Sequence, residues 1–175
     1  MKEKMDSEST PVALARASLH YFLDKGTILP VPDNVSNVLE GRAGVFVSLK
    51  KHSQLRGCIG TFAPTRSNIA SEIIYNAISA GTADPRFEPV VIEELSAIDI
   101  SVDILEAPEA VDSIDKLDPQ KYGVIVRKGS RSGLLLPMLE GVDTVDEQLS
   151  IAMQKAGIGP EEEIELFRFT VTRYK

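Results

Sequence analysis

IDISVDIL, residues 98–105, sets Ile98, Ile100, Val102 and Ile104 on one side and Asp99, Ser101 and Asp103 on the other. A period of two with one apolar and one polar face is the mark of a strand whose inner face lies on a core. Working outward, AGVFVSL (43–49) is a second alternating, β-branched run, and after the polar turn KKHSQ the segment Leu55 to Thr61 has strand length. These two runs predict a hairpin. YGVIVRKGSRSGLLLP (122–137) predicts another, closed by Gly-Ser-Arg-Ser, and Phe167, Phe169 and Val171 alternate with Arg168, Thr170 and Thr172 in a single closing strand.

Helical spacing interrupts the strands three times. Val12, Ala15, Leu19, Phe22 and Leu23 follow Thr10 as N-cap and Pro11 at the first helical position, and Gly26 stops the run. Ile69, Ile73, Ile74, Ala77 and Ile78 mark a second helix with Gly81 as its stop signal, and Thr144-x-x-Glu147 is a capping box for a third that ends near Gly157. The class is α+β: a mixed, largely antiparallel sheet with flanking helices.

The chain has 175 residues, one cysteine, and a formal charge of −7 from 19 basic and 26 acidic residues. One cysteine makes no internal disulfide, the opening MKEKMDSEST is polar, and no run approaches the length of a membrane span. Cytoplasmic localisation without membrane attachment is the expectation. The acidic balance disfavours a phosphate backbone as partner. Two GxxG strings, GRAG (41–44) and GCIG (57–60), adjoin strand-like runs, unlike the RNA-clamping loop they superficially match. There is no Walker loop, GxGxxG, GxSxG, HExxH or metal-spaced Cys/His cluster, so no intrinsic metal or nucleotide cofactor is expected.

The chemistry centres on LRGCIGTFAPTR (55–66), where the lone Cys58 stands between Gly57 and Gly60 with Arg56 just before it. On a regular strand Arg56, Cys58 and Gly60 share a face, which sets the guanidinium about 7 Å along the strand from the thiol. A cation at that range, together with the N-terminus of the helix that follows Pro64, favours a thiolate. Cys58 is therefore the candidate catalytic residue, although a free cysteine is also one of the most commonly buried residue types. His52, in the turn, and His20, on the first helix, are both poorly placed locally to serve as its base. Gly57 and Gly60 read either as close approach to a ligand or as tight packing of a helix. In ADPRF (83–87), Asp84 precedes proline and holds Arg86 in a fixed loop, as a ligand site or as a structural ion pair. Arg56, Gly57, Gly60, Asp84 and Arg86 are the candidate ligand-binding residues.

GVFVSL, LRGCIGT, the isoleucine-rich helix, ADPRF, EEL, IDISVDIL, the YGVIV to LLLP hairpin and QKAGI occur in the order found in the AMMECR domain family, which the chain resembles over nearly its whole length. The resemblance implies one AMMECR-like domain over 1–175, built of two intertwined sub-domains, with LRGCIG lining a cleft between the larger and the smaller. It also implies a pathway shared with a Memo-like protein and a radical-SAM protein, which relatives are often encoded beside. The chain departs from the family at Met138, where glutamine is usual after LLLP, and lacks a tryptophan and a cysteine usual further on. Two expectations follow. One is a cysteine-dependent enzyme or enzyme component acting on a small, anionic ligand held by Arg56 and Arg86; the other is a non-catalytic adaptor that docks on those partners.

Overall fold

A computed structural model of the chain describes residues 8–34 and 36–175. Residues 1–7, most of the polar opening, lie outside the described residues. The chain divides into two compact units, the first Met1–Ile104 with Thr172–Lys175, the second Leu105–Val171.

The first unit opens with helix α1 (Thr10–Lys25), whose N-cap is Ser9, one residue before the expected Thr10, and which Gly26 ends in the left-handed region at φ 70°. Strands β1 (Val45–Lys51) and β2 (Gln54–Thr61) form the expected hairpin around His52 and Ser53, both at positive φ. Helix α2 (Ile69–Thr82) follows, then β3 (Ile98–Leu105). With β8 (Val171–Tyr174) they give a sheet of order β2-β1-β3-β8, in which β1 is antiparallel to both β2 and β3. Helix α2 packs on β1, β2 and α1. Val45, Val47, Leu49, Ile98 and Val102 meet Ile73, Ile74 and Leu19 in one closed core. Burying each such side chain contributes roughly 1.5–3 kcal/mol. Gly81 is not the stop signal of α2, which runs one residue beyond it. A Cβ there would lie 2.6 Å from Leu19 Cδ1, so its bare surface lets α1 and α2 approach.

The second unit holds β4 (Glu109–Val111), β5 (Gly123–Lys128), β6 (Arg131–Leu135), helix α3 (Val145–Ala156) and β7 (Glu165–Phe169). Its sheet has the order β4-β7-β5-β6, every pair antiparallel. The β5–β6 turn is the two residues Gly129 and Ser130, shorter than the four expected, with Gly129 at φ 58°. The capping box of α3 forms as expected, Thr144 Oγ1 accepting from the Glu147 amide and Glu147 Oε2 from the Thr144 amide. Val124, Val126, Leu135, Ala152 and Ile158 make a second core. The single closing strand expected over 167–172 is two, β7 in one sheet and β8 in the other, with Thr170 between them.

No described helix is long and apolar enough to cross a membrane.

Candidate functional site

The position of Cys58 is decided by one irregularity in the first hairpin. Lys51 pairs with Gln54 and Lys50 with Leu55, but Leu49 pairs with Gly57 and Ser48 with Cys58, so Arg56 is the extra residue of a β-bulge. A regular ladder would have set Val47 opposite Cys58 and turned the thiol onto the core face, because a slip of one residue reverses every side chain. The bulge instead places Cys58 beside Ser48, on the sheet face opposite the α2-packed valines. Ser48 Oγ and Cys58 Sγ are 3.2 Å apart, and the cysteine is half-buried.

The same bulge removes Arg56 from the face it was expected to share with Cys58. Its guanidinium donates to both Glu94 oxygens, at 3.3 and 2.9 Å, and to the carbonyls of Glu88 at 2.8 Å and Pro89 at 3.4 Å. The Arg56 guanidinium, then Lys51, holds the Glu94 carboxyl down at about 2. A depressed folded-state value means that this stabilisation is complete above the ordinary glutamate range near 4.5 and is lost as pH falls through about 2. Wild type should therefore lose stability over that window by about 1–2 kcal/mol more than Glu94→Gln, solvent screening of the partly exposed pair included, as urea unfolding at stepped pH would read.

Asp84 lies against the backbone of Cys58. β2 is an edge strand, and the Cys58 N–H donates to Asp84 Oδ2 at 2.9 Å. The other partners of the carboxylate all belong to Arg86: its backbone N–H at 3.1 Å and Nε at 3.0 Å on Oδ1, and Nη2 at 2.8 Å on Oδ2. Hydrogen bonds from the Arg86 side chain, against the opposing effect of burial, hold the Asp84 carboxyl far below the usual range. Asp84 is 2% exposed and Arg86 56%. LRGCIG and DPRF are thus each other's partners: Asp84 caps the edge of β2 while Arg56 grips the two residues after Phe87.

Both motif glycines are filled by the protein itself. A Cβ at Gly57 would lie 2.1 Å from the Ala80 carbonyl oxygen of α2, and one at Gly60 would lie 2.2 Å from the Phe46 ring. Gly57→Ala should cost about 2–3 kcal/mol by overpacking against rigid backbone, a loss that chemical denaturation would measure. The contact with Ala80 also shows that the end of α2 at Gly57 is its C-terminal one, while the N-terminal Ile69 amide bonds Gly41. The expected helix N-terminus beside the thiol is therefore absent, and the Ser48 hydroxyl and nearby cations are the groups that favour a thiolate.

One such cation escaped the sequence reading. Asp103, expected on a solvent-facing polar row, is buried and takes two 2.7 Å bonds from Arg173 of β8, Nε on Oδ1 and Nη2 on Oδ2. The strand register sets Asp103 opposite Phe46, on the Cys58 face. The bond to Asp84 raises the pKa of Arg86 and that to Asp103 raises the pKa of Arg173, with a smaller electrostatic contribution from the Cys58 side chain to both. Below this face Glu72 of α2 is 1% exposed and anchors the segment after Cys58. It accepts from Thr61 Oγ1 at 2.8 Å, Thr65 N at 2.9 Å, Thr65 Oγ1 at 2.6 Å and Arg66 N at 2.8 Å. Among the described residues no group of three or more His, Cys, Asp or Glu is placed to hold a metal ion.

The AMMECR1 family model matches residues 12–174. The chain belongs to the AMMECR1 family. A Thermotoga maritima relative is 52% identical over 98% of this chain and 100% of its own length. A Clostridium acetobutylicum relative is also 52% identical, over 99% of this chain, but the match spans only 37% of that longer protein. The crystal structure of the uncharacterized protein PH0010 from Pyrococcus horikoshii superposes with a TM-score of 0.87 at 32% identity, covering 93% of this chain and 88% of that one. The LRGCIG and DPRF segments of this chain therefore sit on a fold shared with a solved relative.

Proposed function

We propose that the LRGCIG and DPRF segments of this AMMECR1-family protein frame a binding site for a small anionic ligand or substrate, with Cys58 as its reactive residue in a cysteine-dependent enzyme or enzyme component. The observation that carries this reading is the bulge at Arg56, which turns a half-buried thiol out of the core and sets it beside Ser48 and the clamped Arg86. Asp84 takes one edge of the Arg86 guanidinium, and the largely exposed remainder is free to pair with carboxylate or phosphate. Arg56, Gly57 and Gly60 shape the site by holding its walls. A place beside Memo-like and radical-SAM proteins belongs to the same proposal and rests on the family resemblance.

A thermal-shift series with orthophosphate and with phosphorylated and carboxylated metabolites tests the site. Binding to the folded state alone adds roughly 2.7 kcal/mol at a hundred times the dissociation constant. A shift in wild type that Arg86→Gln abolishes supports the site; no shift with any anion, or equal shifts in the variant, refutes it.

A second reading, a non-catalytic adaptor, is favoured by the longer Clostridium relative, in which an equivalent segment is joined to a large additional part. An adaptor would co-elute with a Memo-like protein at micromolar concentration, and Cys58→Ser would leave that complex intact.

A further inference from the structure

Resting on the reading of Cys58 as the centre of an anion site, we infer that the second cationic group of that site is Arg173, supplied by the last strand of the chain, and not Arg56. The register carries the argument. Cys58 pairs with Ser48, Gly60 with Phe46, and Phe46 on its other side with Asp103, so Cys58, Ser48, Phe46 and Asp103 project from one face of the sheet. Direct cross-strand partners share a face in any antiparallel ladder. On that face Arg173 is held on Asp103 by two bonds of 2.7 Å, and from the β2 edge Arg86 is held on Asp84 by bonds of 3.0 and 2.8 Å. Two guanidinium–carboxylate clamps of the same form therefore flank one thiol.

Clamping matters because it fixes each cation without a ligand present. A guanidinium with one edge bonded to a buried carboxylate loses little further side-chain entropy when an anion arrives. The carboxylates do not compete for that anion's place, since both oxygens of Asp84 and of Asp103 are engaged by their own arginines, and Asp84 also by the Cys58 amide. Arg56, the bulge residue, does not share that face and is held on Glu94 and on the Glu88 and Pro89 carbonyls. Electrostatic coupling of the Cys58 sulfur to both Arg86 and Arg173 agrees with the placement. The ligand class is a small anion carrying carboxylate or phosphate next to the atom that meets the sulfur.

Charge-matched alkylation tests this. In both iodoacetate and iodoacetamide the sulfur bonds to the iodine-bearing carbon as the C–I bond breaks, iodide leaves, and the thiol proton passes to solvent. The reagents differ in charge, so the ratio of their rates at Cys58 reports local potential and cancels thiolate fraction and access. Relative to a free cysteine peptide the ratio should be raised roughly threefold or more in the native protein. It should fall at least about twofold in Arg173→Gln and be kept in Arg173→Lys, each checked for folding by its thermal unfolding. Should Arg173→Gln not fold, Arg86→Gln decides: a ratio still above that of the free peptide is the contribution of Arg173, and a ratio equal to it overturns the assignment. Normal reaction with iodoacetamide, but a ratio that Arg173→Gln leaves unchanged, also overturns it while sparing the ligand site. No native reaction with either reagent removes the ligand-site reading and this assignment with it.

Discussion

Glu72→Ala is expected to lower the unfolding free energy by roughly 3–5 kcal/mol, one of the two largest single-residue losses anticipated outside the apolar cores. Four donors lose their acceptor at once: the Thr61 and Thr65 hydroxyls and the Thr65 and Arg66 amides. Burial pushes the Glu72 carboxyl up, but those hydrogen bonds outweigh it and leave the pKa below the ordinary value, so the group is a carboxylate in the folded protein at neutral pH. A charged acceptor is worth more per bond than a neutral one. Glu72→Gln keeps one acceptor oxygen and turns an NH2 toward donors, so it should fall between wild type and Glu72→Ala. Urea denaturation of the three proteins would check the order. Since Glu72 ties residues 61–66 to α2, faster amide exchange in that segment of Glu72→Gln should accompany the loss of stability.

Arg173→Ala should cost a similar amount, roughly 3–5 kcal/mol, because it strands Asp103 as an uncompensated buried charge. Asp103 is 3% exposed and both of its oxygens are committed to that guanidinium. The Asp103→Ala, Arg173→Ala double variant should be more stable than Arg173→Ala alone, since the stranded charge is gone. A thermodynamic cycle with little or no coupling would show that β8 is held by its backbone ladder instead. Any such coupling also bears on the site, because the pair joins the last strand of the chain to the face that carries Cys58.

The elements of this fold are legible one by one, as their burial shows. Val45, Val47, Leu49, Ile98 and Val102 alternate in the sequence and are all fully buried on one side of the sheet. Thr144 and Glu147 cap α3 because an N-cap is a local event, settled within four residues. What needs distant partners is not legible. Thr170 breaks one apparent strand into two because the residues on either side pair with different sheets. Asp103 reads as solvent-facing because its partner lies 70 residues away.

The candidate site divides along the same line. Cys58, Asp84 and Arg86 come together because two short motifs, each stiff in itself, dock on one another. Arg56 does not join them, since a bulge leaves no mark on the period of a strand, and a one-residue change of register decides which side each residue takes. Ser48 becomes the neighbour of Cys58 for that reason alone. Gly57 and Gly60 were open to either reading on sequence, and an α2 carbonyl and the Phe46 ring occupy the space their missing side chains leave.

The most direct measurement of the central claim is the rate at which native Cys58 alkylates with iodoacetamide at pH 7, compared with an unstructured cysteine peptide of ordinary pKa, about 8.5. A thiol turned out of the core beside Arg86 and Arg173 predicts a native rate above that of the peptide, and a rate that falls when Arg86 is replaced by glutamine. A native rate at or below the peptide value, with reaction appearing only in denaturant, would contradict the account and leave Cys58 as a packing residue.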